Sequence, residues 1–266
     1  MGKIIEISSL NNPLIKEIKG LYRKRNRWKK KTFIIEGIKI VNEALINNIE
    51  LEYLVYSDSL LENQEGNELL NRIYNRDNII KVTNKVFKEI SDTENPQGIL
   101  GVVRFNNNDF KDIEKLDKPS LLFLDEIQDP GNMGTIIRSG DAFNIDGIIL
   151  GKGCVDPYNS KVIRSTMGSI FRLPIYMCED ILDCLQDFKD IGLDILATSL
   201  EGKPLYDKNL NNGFVCIIGN ESRGVSKDIL NMVQEEISIP MAGGAESLNA
   251  GVAASIIMYE VMKKRL

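Results

Sequence analysis

The 266-residue chain contains no histidine. That absence removes Ser-His-Asp triads, HExxH metal sites and the usual general base near neutral pH, so any chemistry here is done without imidazole. Cysteine is scarce. Cys154, Cys178, Cys184 and Cys216 form no CxxC pair and sit among residues that read as core or amphipathic helix. They are expected to be reduced and structural, and no metal is expected. No stretch approaches the ~20 apolar residues of a membrane span, and the opening MGKIIEISSLNN lacks the apolar run of a signal peptide. A cytoplasmic address without membrane contact is the expectation. Phosphate-cradling fingerprints are missing as well. The one GxG, Gly151-Lys152-Gly153, has neither the third glycine nor the helix start of a dinucleotide site, and no GxxxxGK[ST] loop occurs. Nicotinamide dehydrogenases and P-loop NTPases are therefore disfavoured.

What is present begins with apolar material for two domains: 43% of the residues are hydrophobic, and the length suits two compact domains of ordinary size. The net charge of −5 conceals an asymmetry, because residues 1–31 carry ten Lys/Arg against two Asp/Glu. Within that stretch, Tyr22 to Lys31 combines seven cations with two aromatics, a mixture that pairs phosphate attraction with base or ribose stacking. Arg23, Lys24, Arg25, Arg27, Trp28 and Lys29 are therefore candidate RNA contacts. A solvated helix end or loop is the competing reading of the same run.

Phe33-Ile34-Ile35-Glu36-Gly37 reads as a short strand and Ile38 to Leu45 as a helix. Leu51 to Tyr56, Ile79 to Val82 and Gly98 to Phe105 read as further strands, with a charged helix around 59–76. These elements predict a small α/β domain over residues 1–105. The polar, weakly patterned stretch 106–118 before Pro119 reads as a linker. Over 119–266, apolar strands at 121–124, 148–150, 195–197, 214–218 and 237–240 alternate with helical segments, the rhythm of a parallel sheet covered by helices. Ligands of such sheets lie beyond the carboxyl ends of the strands.

Three segments leave those strand ends. The first, Asp125 to Arg138 (DEIQDPGNMGTIIR), sets a Pro-Gly turn before Asn132, a good helix N-cap. A helix from there carries Arg138 about 9 Å along the axis, and helix N-termini and guanidinium groups both suit phosphate oxygens. The second, Ile217 to Ser226 (IIGNESRGVS), has two glycines that permit tight turns and close approach of a ligand. The third, Ile239 to Asn249 (IPMAGGAESLN), leads into an apolar helix, and its small residues leave room for a flat ligand such as adenine. Each alone would pass for a capped loop.

In this order and at these separations the segments closely resemble the signature motifs of the SpoU/TrmH branch of the SPOUT methyltransferases, over roughly 119–266. Phe33 to Gly37 and the following helix look like the accessory substrate-binding domain common in that family. The resemblance implies an α/β fold whose C-terminal parallel sheet holds a deep trefoil knot, a homodimer, and S-adenosylmethionine bent inside the knot loops. The implied activity is metal-free methylation of a ribose 2′-hydroxyl in RNA. Residue by residue, it implies catalytic roles for Asn132, Arg138, Glu221, Ser247 and Asn249. It implies cofactor contacts for Thr198, Leu200, Gly219, Asn220, Gly224, Ile239, Met241, Ser247 and Leu248. Because arginine stays protonated in proteins, Arg138 is expected to hold phosphate and stabilise charge on the 2′-oxygen rather than to act as a base. Glu221 is left with two roles, orienting Asn132 or accepting the proton.

Some positions depart from the family pattern. Asn144 stands where glycine is common, and asparagine tolerates left-handed backbone. Ser222 replaces a frequent glycine and Ala250-Gly251 a frequent Val-Ser pair, which bears on how the cofactor is placed. The added N-terminal domain with its basic run favours large-subunit ribosomal RNA over transfer RNA as substrate. A SPOUT enzyme acting on a base nitrogen and a non-catalytic RNA-binding relative are the competing classes. The Asn132/Arg138 pairing with Ser247-Leu248-Asn249 argues against the first, and the intact Arg138, Glu221 and Asn249 against the second.

Overall fold

The computed structural model describes residues 4–74, 76–208, 210 and 212–265. The chain forms two units: residues up to Asn106 together with Tyr158–Phe171, and Asn107–Pro157 together with the residues from Arg172 on.

In the first unit β1 (Ile5–Ile7) precedes α1 (Pro13–Gly20), α2 (Lys24–Lys30), β2 (Thr32–Glu36), α3 (Ile38–Ile46) and β3 (Leu51–Ser57). Then come α4 (Gln64–Ile73), β4 (Ile79–Val82), α5 (Asn84–Ile90) and β5 (Ile99–Arg104). The sheet order is β1-β4-β3-β5-β2, parallel from β1 to β3 and antiparallel on both sides of β5. The unbroken apolar run of β2 follows from two covered faces. Phe33 and Ile35 pack with Val41 and Leu69 on one side, and Ile34 with Ile15, Ile18 and Phe87 on the other. A chain-distant segment completes this core: Ile163 joins the Phe33 cluster, Tyr158 stacks on Phe105 with ring centroids 3.9 Å apart, and Ser160 and Arg164 bind Asp92.

The second unit contains β6 (Ser120–Leu124), α6 (Pro130–Ala142) and β7 (Gly147–Leu150). After α7 (Ser160–Thr166), which lies in the first unit, follow β8 (Ile175–Met177), α8 (Ile181–Asp190), β9 (Asp194–Pro204) and β10 (Phe214–Ile218). The chain ends with α9 (Lys227–Leu230), β11 (Glu235–Ser238) and α10 (Ala250–Arg265). The sheet is parallel throughout, in the order β11-β9-β10-β6-β7-β8. The central strands β6 and β10 are buried along their whole length, which is why they read as apolar runs without alternation. From β8 at one edge the chain returns to β9 on the far half, so β6 and β10 flank the topological switch point, where connecting loops part and leave a crevice. The two strands end in register, Leu124 opposite Ile218. The segments that begin at Asp125 and Gly219 therefore leave the sheet at one level.

Several expectations change. The stretch 106–118 is no free linker: it holds a 3-10 turn at Phe110–Lys115, with Ile113 buried and Phe110 against Tyr176 and Phe188. The charged helix around 59–76 divides into a 3-10 turn, Asp58–Glu62, and α4. Cys178 and Cys184 are joined in a disulfide rather than reduced, across a six-residue separation that carries no CxxC signature. Cys154 and Cys216 are free, with burial pushing their thiols up to about 11 and about 12. Asn144 takes the left-handed backbone expected of it, at φ 54°. No helix among the described residues is long and apolar enough to cross a membrane.

Candidate active site

The first motif builds α6, and its start differs from the sequence reading. Asp129, not Asn132, is the N-cap, accepting from the Asn132 N–H at 2.8 Å, and Pro130 opens the helix. Proline presets the helical φ at the first position and has no N–H to leave unpaired, so the helix begins three residues earlier than the glycine-centred turn suggests. The Asn132 side chain is thereby released from capping. Buried at 8% exposure, it donates through Nδ2 to Glu221 Oε1 at 2.9 Å and accepts at Oδ1 from Asn249 Nδ2 at 2.8 Å. Asn249 Oδ1 accepts from the N–H groups of Gly251 at 3.0 Å and Val252 at 3.2 Å, capping α10.

This chain of bonds has a forced polarity. Glu221 as a carboxylate only accepts, and the backbone N–H groups of α10 only donate, so each asparagine between them has one usable orientation. The three motifs, far apart in sequence, thus meet in a single directed network.

The second motif is a closed turn. A Cβ on Gly219 would stand 2.3 Å from the Gly224 carbonyl carbon, and Gly224 has φ +65°, so both positions need glycine. Asn220 holds the turn: Oδ1 accepts from the N–H groups of Ser222 at 3.0 Å and Arg223 at 3.2 Å, while Nδ2 donates to the Glu126 carbonyl at 3.0 Å. Its side chain, expected at the cofactor, is spent on shape. Arg223 pairs with Glu126, a contact the sequence reading did not contain. Ser222 is not among the left-handed residues, so the frequent glycine it replaces is not needed for backbone freedom.

The remaining implied cofactor residues lie on a bulge within β9 and on the segment after β11, two neighbouring strands. Pairing of β9 with β11 passes from Ala197↔Glu236 to Lys203↔Ile237, so residues 198–202 bulge from the ladder. Thr198 Oγ1 donates to the Ile217 carbonyl at 3.1 Å, tying that bulge to β10, and Leu200 at its crest is 72% exposed. Ile239, Met241 and Leu248 are half-buried and Ser247 is exposed. Lys203 and Lys208 bond Glu235 at 2.8 and 2.7 Å and hold its carboxyl at about 2.

The Arg138 side chain is exposed and makes no hydrogen bond or ion pair among the described residues; Thr135 and Ala142 share its face of α6. That helix lies along α10, bonded to it through Ser139 and Ser255 at 2.8 Å. Val252 and Tyr259 of α10 are about half exposed (46% and 47%).

The basic run forms α2, and helical spacing sorts its side chains. Arg27 is buried and donates through Nη1 to the Leu21 carbonyl at 2.7 Å. Trp28 packs edge-on against Phe105 at 5.4 Å and tilted against Tyr158 at 6.0 Å. These two candidate RNA contacts are turned into the core of the first unit. Arg23, Lys24, Arg25 and Lys29 are exposed.

The SpoU rRNA Methylase family model matches residues 119–259, and the MRM3-like substrate binding domain model matches residues 12–101. The chain is 32% identical over 258 residues to the 23S rRNA (guanosine(2553)-2'-O)-methyltransferase RlmP of Bacillus subtilis, covering 96% of this chain and 98% of that one. An AdoMet-bound rRNA methyltransferase from Sinorhizobium meliloti superposes with a TM-score of 0.86 at 31% identity, covering both chains completely (100% each). The SpoU methyltransferase AviRb from Streptomyces viridochromogenes, in complex with AdoMet, gives 0.85 at 27% identity over 96% of this chain and 98% of that one.

Proposed function

Because the chain belongs to the SpoU rRNA methylase family, we propose that it transfers a methyl group from S-adenosylmethionine to a ribose 2′-hydroxyl of large-subunit ribosomal RNA. The observation that carries this reading is the Glu221–Asn132–Asn249 network, which unites the three motifs at the switch point of the sheet. The likeness to a 23S rRNA methyltransferase of Bacillus subtilis supports a 23S ribosomal RNA substrate.

The residues present fit the cofactor. The 198–202 bulge and the loops after β10 and β11 surround one crevice edge, Gly219 leaves no room for a side chain, and Gly243 and Gly244 face open space. Thr198, Leu200, Gly219, Ile239, Met241, Ser247 and Leu248 would hold it, Leu248 against the adenine. When bound, S-adenosylmethionine supplies an electrophilic methyl group on a sulfonium.

The protein's part is alignment and charge control. Asn132 has both ends of its amide engaged, so it orients Glu221 and does not touch the hydroxyl proton. Glu221 keeps Oε2 outside the network, and that oxygen accepts the 2′-hydroxyl proton. The Arg138 guanidinium, without a hydrogen-bond or ion-pair partner among the described residues, holds the neighbouring phosphate and the developing negative charge on the 2′-oxygen. Two chains form the working unit. The exposed Val252 and Tyr259 beside α6 support a homodimer, with Arg138 serving the partner's crevice, and a knotted path of the chain through the loops after β10 and β11 accompanies it. The first unit binds RNA through Arg23, Lys24, Arg25 and Lys29. Ribose-methylation maps of total RNA from strains with and without the gene test the reading: one 2′-O-methyl mark in large-subunit RNA disappears. Identical maps would overturn it.

A further inference from the structure

Between the loop after β10 and the strand ends of β6, β7 and β8 lies a cavity of about 430 Å³. It sits beyond the carboxyl ends of β6, β7, β8 and β10 and belongs wholly to the second unit. Most polar groups on its wall are already used. Glu126 is paired with Arg223, Asp180 caps α8 by accepting from the Leu182 and Asp183 N–H groups, and Asn220 serves its own turn. The side chains of Asp125, half-buried just after β6, and Lys152, after β7, make no hydrogen bond or ion pair among the described residues. Ile181, Leu182 and Ile229 add aliphatic surface to the wall. No group of three or more ligating side chains among the described residues could hold a metal ion.

The cavity adjoins the reaction site through one peptide bond, since Asn220 lines it and Glu221 heads the catalytic network. In a nucleotide the base is carried on the carbon next to the one bearing the 2′-hydroxyl. A ribose placed against Glu221 therefore sends its base to a neighbouring recess. Acidic lining repels phosphate and admits a neutral base. Among the bases, guanine alone presents two adjacent donors, N1–H and the 2-amino group, beside an acceptor, O6, which matches a cavity lined by an unpaired carboxylate and an ammonium. Aliphatic side chains can cover its faces. Burial, and then the neighbouring Glu126, raise the Asp125 carboxyl above the ordinary range, so a donor pair there meets a poorly solvated acceptor.

We propose that this cavity receives the flipped-out base of the nucleotide being methylated, and that Asp125 and Lys152 select guanine. The inference rests on the proposed ribose methylation. Sequence-specific RNA recognition chiefly targets unstacked bases that can be splayed out of a strand, and a base flipped into a protein pocket is read along its Watson–Crick edge.

The test uses the full-length protein and a synthetic RNA spanning the mapped mark, with the target guanosine kept or replaced by inosine, which lacks only the 2-amino group. Wild type should lose roughly ten- to hundredfold in kcat/KM on inosine, the discrimination carried by one bidentate contact. Asp125→Asn should show about the same loss on guanosine and almost none further on inosine, because both changes remove one bond. Lys152→Ala, at an exposed position, should weaken guanosine turnover and leave the melting temperature unchanged, which keeps the proposal testable if Asp125→Asn folds poorly. A mark on any other base, equal turnover of inosine, or losses that simply multiply would overturn the pocket and leave ribose methylation standing. An RNA with no mark at all would overturn the methylation reading itself.

Discussion

Replacing Asn249 by aspartate changes one atom of the network from donor to acceptor. The new carboxylate still accepts from the Gly251 and Val252 N–H groups, so the α10 cap survives. It can no longer donate to Asn132 Oδ1. If Asn132 keeps its orientation, two acceptors face each other; if its amide turns over, the same conflict moves to Glu221. In either arrangement one hydrogen bond is lost and a carboxylate is left facing an amide oxygen, a cost of about 1.5–3 kcal/mol. At about 1.4 kcal/mol per decade, single-turnover methyl transfer should slow roughly 10- to 150-fold. At about 2–4 °C per kcal/mol for a chain of this size, the same loss should lower the melting temperature by roughly 3–12 °C. Asn249→Ala loses the bond to Asn132 and removes the cap as well, about 1 kcal/mol, a further contribution of roughly 2–4 °C. Radiolabelled transfer on rapidly quenched enzyme–RNA complexes, with thermal melts alongside, measures both. An Asn249→Asp enzyme as fast as wild type would refute the directed network as the element that orients Glu221.

Glu235→Gln should lower the melting temperature at pH 7 by about 1–3 °C, a discounted effect because ion pairs this close to solvent contribute little. The depressed carboxyl stabilises the fold above its ordinary value of 4.5 and loses that contribution as pH falls through about 2, so wild-type and variant melts should converge toward pH 2. Neutralising Arg23, Lys24, Arg25 and Lys29 should flatten the log–log salt dependence of RNA binding by about 0.7–0.9 per lost phosphate contact; an unchanged slope makes the run solvated surface. Arg27→Gln should instead reduce thermal stability, since its guanidinium bonds the buried Leu21 carbonyl.

Legibility of the sequence depended on whether a signal was local. The central strands β6 and β10 were readable because burial on both faces leaves an apolar run, and Asn144 because left-handed backbone has few tolerant residues. β1 and β8, three residues each, carry too short a pattern to register. Arg27 and Trp28 misled because composition cannot tell which face of a two-turn helix is covered, and the covering residue, Tyr158, lies 130 positions away. The segment Tyr158–Phe171 was invisible for the same reason: it follows β7 in sequence and completes the core of the other unit in space. At the site, motif order pointed to Asn132, Glu221 and Asn249, and the geometry adds what each amide does. The helix cap was misplaced by three residues because an Asp-Pro pair and a Gly-Asn pair both look like helix starts, and only proline's missing N–H decides between them.

The exposed position of Arg138 leads to the last prediction. It belongs to the same motif as Asn132, yet six residues of helix separate the two, a rise of about 9 Å, and no partner among the described residues holds it. The proposed role for an arginine so placed is in the crevice of the partner subunit. In a homodimer built on the α6–α10 face, Arg138→Ala and Leu248→Trp each inactivate, the first by removing charge stabilisation and the second by filling the adenine space. Cofactor affinity by calorimetry should be almost unchanged in the first and weakened in the second. Co-expressed under different affinity tags and purified as a mixed dimer, the two variants should recover roughly half of wild-type turnover, because one crevice then combines an intact Leu248 loop with an intact arginine from its partner, provided the sites act independently. Co-expression matters, since a knotted dimer would exchange subunits too slowly for mixing alone. A mixed dimer that binds RNA normally and remains as inactive as its parents would place Arg138 in its own chain's crevice, and the 9 Å would then have to be closed by the RNA itself, its phosphate reaching back along α6 from the ribose at Glu221.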